Sequence, residues 1–198
     1  MLTMVLASTN PGKIREFTEV LQGLPIRLIP QSELNIPEVE ETGSTFVENA
    51  IIKARHAAAF SGFPAIADDS GLMVDILNGE PGVRSSRYAG PNGDDHVRIN
   101  KLLLALAQYD DKNRAASFYC VTVLMESDTD PAPLLCEGVW EGEILKEPRG
   151  TNGFGFDPVF YVPTHRCSAA ELPSTVKNTI SHRGQALAQL LEALKYPG

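Results

Sequence analysis

The sequence predicts an α/β protein, a single domain over residues 1–198 built on a mixed sheet flanked by helices. In the first half, strand-like and helix-like segments alternate. In the middle, two strand-like runs follow one another, and a long amphipathic pattern comes last. Early alternation combined with strands that pair in the middle points to a mixed sheet with helices around it. With 198 residues, 43% hydrophobic and 21% charged, the chain is long enough to bury a sizeable core.

Met4-Val5-Leu6-Ala7 reads as the first strand. Ser8-Thr9-Asn10-Pro11-Gly12-Lys13 then leads into a helix over about Gly12 to Gln22, with Ile14, Phe17 and Leu21 at helical spacing. Arg27-Leu28-Ile29 reads as a second strand, followed by an acidic loop from Pro37 to Gly43. Thr45 with Glu48 spells a capping box for a helix to about Ser61. Phe46, Ala50, Ala54 and Ala57 form its buried stripe, and Asn49, Lys53 and His56 share a polar one. Gly62-Phe63-Pro64 ends that helix. Ala65-Ile66-Ala67 is then expected to be a short strand that stops at Asp68-Asp69 and turns through Ser70-Gly71.

Leu72 to Leu77 alternates too poorly to assign, and the Gly- and Pro-rich stretch from Gly79 to Gly93 reads as a surface excursion. Asp94 or Asp95 caps a helix to about Gln108, with Ile99, Leu102, Leu103 and Leu106 inward. Phe118 to Met125 and Leu134 to Trp140 read as an antiparallel hairpin joined by Asp128-Thr129-Asp130-Pro131. Gly150 to Asp157 is a Gly-rich loop, and Val159-Phe160-Tyr161 a short strand. The final helix runs from about Ser181 to Lys195 on a stripe of Ala186, Leu187, Leu190, Leu191 and Leu194.

Composition narrows the function. A formal charge of −8 argues against a nucleic-acid polymer as partner, because such surfaces need clustered Lys and Arg. A free nucleotide stays compatible, since a local basic pocket with a metal can hold phosphates. No apolar run reaches the length of a transmembrane helix. The N-terminus lacks a basic segment followed by a signal-peptide core, so a cytoplasmic protein is expected. Cys120, Cys136 and Cys167 are odd in number and widely spaced, which fits reduced thiols rather than a zinc site or a disulfide framework.

Adjacent carboxylates after an apolar run, Asp68-Asp69, repel unless a cation or donor sits nearby, and carboxylate oxygens suit Mg²⁺ shared with phosphates. In the acidic loop Glu38, Glu40 and Glu41 are not separated by spacing alone. A glycine, a lysine and a helix start in Asn10-Pro11-Gly12-Lys13 suit a phosphate. The same residues equally describe a plain strand–turn–helix with a capping Asn or Ser. Lys53 either reaches phosphates or faces solvent. Lys177 and Ser181-His182-Arg183-Gly184 are read as opening the final helix, against the dipole preference of cations, which invites an acceptor-rich ligand. Phe154, flanked by Gly153 and Gly155, either plugs the core or offers a stacking face to a planar ligand.

Together these pieces resemble the inosine triphosphate pyrophosphatase family, whose members hydrolyse non-standard purine nucleoside triphosphates. The resemblance covers essentially the whole chain. It rests on Ser8-x-Asn10-x-x-Lys13, Glu40-Glu41-Thr42-Gly43 and Phe46-x-Glu48-Asn49-Ala50-x-x-Lys53-Ala54. Ala67-Asp68-Asp69-Ser70-Gly71-Leu72, Pro81-Gly82-Val83 with Ser86-Arg87-Tyr88, Gly153-Phe154-Gly155-Phe156-Asp157-Pro158 and Ser181-His182-Arg183-Gly184-x-Ala186 complete it.

The resemblance implies a two-lobed homodimer with an elongated mixed sheet, an active site in the cleft between lobes, and Mg²⁺-dependent release of pyrophosphate from a nucleoside triphosphate. It implies that the Ser8, Thr9, Asn10, Pro11, Gly12, Lys13 loop and Lys53 bind phosphates, with Ser70 beside them. Glu41 and Asp69 hold the metal, and Asp69 is the catalytic base. Phe154, Gly155, Phe156 and Asp157 with Lys177, His182 and Arg183 form the base pocket. This chain departs from the family pattern at Val176, where many relatives have Glu, and at Phe156, where many have Tyr. A pyrophosphatase for modified pyrimidine or other nucleotides, and a nucleotide-binding sensor without turnover, are the competing readings.

Overall fold

The computed structural model describes residues 2–90, 93–109 and 113–195. In chain order the elements are β1 (Leu2–Leu6), α1 (Pro11–Leu21), β2 (Ile26–Pro30), α2 (Phe46–Ser61), β3 (Ala65–Val74) and α3 (Asp95–Leu106). There follow β4 (Ala115–Met125), β5 (Leu134–Ile144), β6 (Phe160–Val162), β7 (Cys167–Ser168), α4 (Ser174–Ile180) and α5 (His182–Lys195). Among the described residues these strands form one sheet in the order β2-β1-β3-β4-β5-β6-β7. β1 runs parallel to β2 and β3, while β6 runs antiparallel to β5 and β7, so the sheet is mixed as expected. The chain is an α/β protein.

Each early helix follows from local chemistry. Asn10 caps α1 by accepting from the Gly12 and Lys13 N–H groups, and Pro11 occupies the first turn, where its missing N–H costs nothing. Thr45 and Glu48 close a reciprocal capping box at the start of α2, and Gly62 ends it in the left-handed conformation.

Two compact units share the chain. The first takes the residues up to Asp69, Cys120–Gly138, and everything from Arg183 onward; the second takes Ser70–Tyr119 and Val139–His182. The core of the first gathers Leu6 and Ile66 from the sheet, Phe17 from α1, Cys120 from β4, and Leu187 and Leu190 from α5. The core of the second gathers Leu72, Leu102, Phe118, Trp140, Phe156 and Phe160. Full burial of a Leu or Phe stabilises by about 1.5–3 kcal/mol, so α5 is a major part of the first unit despite its distance in sequence.

Three expectations need correction. β3 does not stop at Asp68-Asp69; it continues through Ser70-Gly71 to Val74, with Asp68 and Asp69 buried inside it. Cations supplied by other elements neutralise the pair, which removes the reason for the strand to end there. Leu72 and Val74 then resume the buried pattern, and a short 3-10 turn over Asp75–Leu77 follows. Lys177 does not open the last helix: it lies in the final turn of the separate helix α4, the end that dipoles favour for a cation. Asn49 leaves the polar stripe of α2 for the interior, where it is fully buried. Within the stretch from Gly79 to Gly93, Gly82–Arg87 forms a 3-10 turn, and Pro91-Asn92 lies outside the described residues.

Candidate active site

Two polar clusters stand out, one in each unit. In the first, α1 presents Lys13 from its opening turn, with Nζ 3.0 Å from Asp68 Oδ2. Arg183, at the start of α5, donates from Nε and Nη2 to the same oxygen at 3.1 Å and from Nη1 to Glu16 Oε2 at 2.7 Å. Burial by itself would raise the Asp68 carboxyl, but Lys13 and Arg183 outweigh it and hold the group well below the usual carboxylate range. Asp68 is therefore an anion that anchors two cations.

Its neighbour faces a different environment. Lys53 Nζ on α2 is 2.7 Å from Glu41 Oε1 and 3.1 Å from Asp69 Oδ1, so one ammonium spans both carboxylates. Asn49 Nδ2 donates to Asp69 Oδ2 at 3.3 Å, while its Oδ1 accepts from the Gly43 N–H at 2.8 Å and pins the acidic loop to α2. Gly43 has to be glycine, because a Cβ there would meet the Glu48 Cβ at 2.6 Å and Asn49 Oδ1 at 2.7 Å. Burial pushes the Asp69 carboxyl up, and Glu41 adds to that, against the opposing pull of Lys53 and Lys13. The two adjacent aspartates are thus driven in opposite directions: Asp68 toward a fixed charge, Asp69 toward a stronger base.

The structure separates Glu41 from its loop neighbours, which spacing alone did not. Glu41 binds Lys53, whereas Glu38 Oε1 accepts from the Thr9 hydroxyl at 2.6 Å. Ser8 is buried and its hydroxyl accepts from the Asn10 N–H. Asn10 and Gly12 act in the capping of α1, so that reading of the loop is fulfilled, and Lys13 emerges from it toward Asp68. Ser70 follows Asp69 directly in β3.

The second cluster centres on the Gly-rich loop. Asp157, 2% exposed, accepts from Lys177 Nζ at 2.5 Å and from the Phe154 N–H at 2.9 Å, both at Oδ2. A Cβ at Gly153 would collide with that carboxylate, and Gly153 also has a φ of +76°, so glycine is required twice over. Lys177 Nζ lies 4.8 Å from the Phe154 ring centroid. Phe154 is partly exposed and lies outside the buried core. Phe156 is core, so the hydroxyl of the family's Tyr is not missed. Val176 packs against the same core, and Asp157 orients Lys177 where a preceding Glu is lacking. His182 stacks on Phe118 at 4.7 Å between centroids with 10° between planes.

Arg183 groups with Asp68 and Glu16 in the first unit, while Lys177 and His182 belong to the second. Glu16 escaped sequence reasoning although it lies one turn beyond Lys13 on α1. Asn49 was placed on the wrong face, and nothing local marked Asp95 as a partner of the Gly155 N–H.

Glu41 and Asp69 suit a divalent metal chemically. Both offer carboxylate oxygens toward one cationic position, and Mg²⁺ takes one or two carboxylates and completes its shell with water and phosphate. Among the described residues no group of three or more His, Cys, Asp or Glu is arranged to hold a metal without such outside ligands.

The fold and these clusters agree with what comparison finds. The Ham1 family model matches residues 4–193, and the chain belongs to that family. A relative from Coxiella burnetii named dITP/XTP pyrophosphatase is 62% identical, covering 98% of this chain and 97% of its own. The solved structure of a HAM1 protein from Coxiella burnetii superposes with a TM-score of 0.93 at 62% identity, over 98% of this chain and 99% of that one. The Ham1 protein of Staphylococcus aureus superposes with a TM-score of 0.86 at 43% identity, over 98% of each chain. The resemblance read from the motifs is borne out.

Proposed function

We propose that the protein hydrolyses non-standard purine nucleoside triphosphates (ITP, dITP and XTP) to the monophosphate and pyrophosphate, with Mg²⁺, and so clears them from the nucleotide pool. The observation that carries this reading is the Lys53 ammonium shared by Glu41 and Asp69 beside the Lys13–Asp68 pair. Such an arrangement provides cations for a polyphosphate and carboxylates for a metal and a base. The name carried by the Coxiella burnetii relative supports the substrate class.

In this reading Lys13 and Lys53, with the loop from Ser8 to Gly12, bind and orient the phosphates, and Ser70 lies beside them. Asp69 takes the proton from the attacking water. Bulk water has a pKa of about 15.7 and an ordinary aspartate about 3.9, a poor match. Burial narrows the gap by making Asp69 more basic. Mg²⁺ at Glu41 and Asp69 would supply charge neutralisation and water acidification when bound.

The base is recognised by Phe154 as stacking face and by Lys177 and His182 as donors, with Gly155, Phe156 and Asp157 shaping the loop. Hypoxanthine and xanthine offer a 6-oxo acceptor where adenine has an amino donor. A buried donor left unpaired costs about 1–3 kcal/mol, so ATP is disfavoured. We further read the protein as a cytoplasmic homodimer acting on free nucleotides; no described helix is long and apolar enough to cross a membrane.

Pyrophosphate release with Mg²⁺ across ITP, dITP, XTP, GTP, ATP and dTTP tests the proposal. Turnover confined to the first three is expected. Equal turnover of ATP or dTTP would overturn the substrate class, and no turnover of any would leave a binding protein.

A further inference from the structure

The loop carrying Phe154 is held from several sides within its unit. The Asn152 N–H donates to Ala170 O at 3.0 Å, and the Phe154 N–H to Asp157 as described. A further tether comes from α3: the Gly155 N–H donates to Asp95 Oδ2 at 2.7 Å. Asp95 is not needed as the cap of α3, because Asp94 does that by accepting from the Val97 N–H at 2.9 Å. Its other oxygen, Oδ1, takes Arg98 Nη1 at 2.5 Å, one turn further along. That ion pair stops the carboxylate from rotating and keeps Oδ2 aimed at the loop.

Gly155 sits at φ +63° with nothing within 4 Å of where a Cβ would be. On the C-terminal side of Phe154 the backbone is held by the core residue Phe156 and by the Asp157 N–H donating to Phe154 O, and the hydrogen bond to Asp95 is the tether that α3 adds at Gly155 itself. An N–H donating to a carboxylate is about twice as strong as a neutral pair. We propose that Asp95 is a positioning residue for purine selection: from α3 it fixes the Phe154-Gly155 backbone, and with it the ring face on which the base stacks, without touching the nucleotide. This rests on the reading of Phe154 and Lys177 as base-facing.

An acid in the first turn of a helix also favours the dipole. That role alters stability alone, so kinetics and loop exchange separate the two. Asp95→Ala removes the acceptor, and Asp95→Asn keeps an oxygen for the Gly155 N–H. Arg98→Gln leaves the acceptor but frees it to rotate, and serves if Asp95→Ala fails to fold. Asp95→Ala is expected to raise KM for ITP about three- to tenfold, the scale of one lost hydrogen bond. Its kcat is expected to stay within about twofold of wild type, since the phosphate end is untouched. The preference for ITP over ATP should narrow, and amide exchange at residues 153–156 should quicken. Asp95→Asn should largely restore KM, and Arg98→Gln should shift it the same way as Asp95→Ala by a smaller factor.

Unchanged KM and exchange in both Asp95→Ala and Arg98→Gln, with wild type active on ITP, would overturn the inference alone. Wild type inert toward ITP would overturn the functional reading and this inference with it.

Discussion

Asp68 and Asp69 are neighbours in one strand, yet their surroundings give them opposite properties. Asp69→Asn keeps the volume and the Asn49 contact but removes the charge, so the fold should survive. Loss of a positioned base is expected to cost about 10²–10⁴ in turnover, read as pyrophosphate release from ITP alongside an unchanged circular dichroism spectrum. Undiminished kcat would assign the base elsewhere. Arg183 should behave differently. The residue is 3% exposed, and its guanidinium binds Asp68 and Glu16. Arg183→Ala leaves Asp68 with Lys13 but removes the guanidinium that it shares with Glu16, and breaking a buried pair costs about 3–5 kcal/mol. A urea midpoint matching wild type would show that Arg183 serves the nucleotide rather than the fold.

At the level of elements, α2 carries both Asn49 and Lys53, so its start matters to the site. Thr45→Ala removes one half of the capping box and is expected to destabilise by about 0.5–2 kcal/mol. A lower urea midpoint with an unchanged slope would be the signature; an unmoved midpoint would mean that Glu48 alone holds that end. This cap was legible in sequence because its chemistry is local, as were α1, through the spacing of Ile14, Phe17 and Leu21, and the strands β1 and β2. The extension of β3 was not legible, because the cations that permit it come from other elements, Arg183 among them, 115 positions away along the chain. α4 was missed for another reason. At seven residues it is too short to show helical periodicity, and so Lys177 was assigned to the wrong helix end. Motif order across the chain, rather than any one element, made the family readable.

For the molecule as a whole, the chain mass is 21.5 kDa, and the proposed homodimer should sediment at twice that value across micromolar concentrations. A stable two-fold interface buries on the order of 1,200–2,000 Å². A single species at the chain mass with full ITP turnover would make the monomer the active form. Assembly was the part least accessible from sequence, since an interface patch lacks the periodic signature that marks a core. Charge was more informative at this scale: the −8 balance argues against a nucleic-acid surface, while Lys13 and Lys53 give local cations inside an acidic protein.

The first unit draws on segments from both ends of the sequence, with Ala186, Leu187 and Leu190 of α5 completing the core begun by Leu6 and Phe17. During synthesis, those three residues leave the ribosome after every other part of that core. Until they do, the core that Leu6 and Phe17 share with Ile66, Cys120 and Leu124 lacks its α5 side, and exposed apolar surface is what makes a nascent chain depend on chaperones. Arg183 emerges at the same moment, so Asp68 and Glu16 acquire its guanidinium only as translation of this region finishes. Completion of the hydrophobic core and maturation of the charged cluster are therefore one event in the life of each molecule.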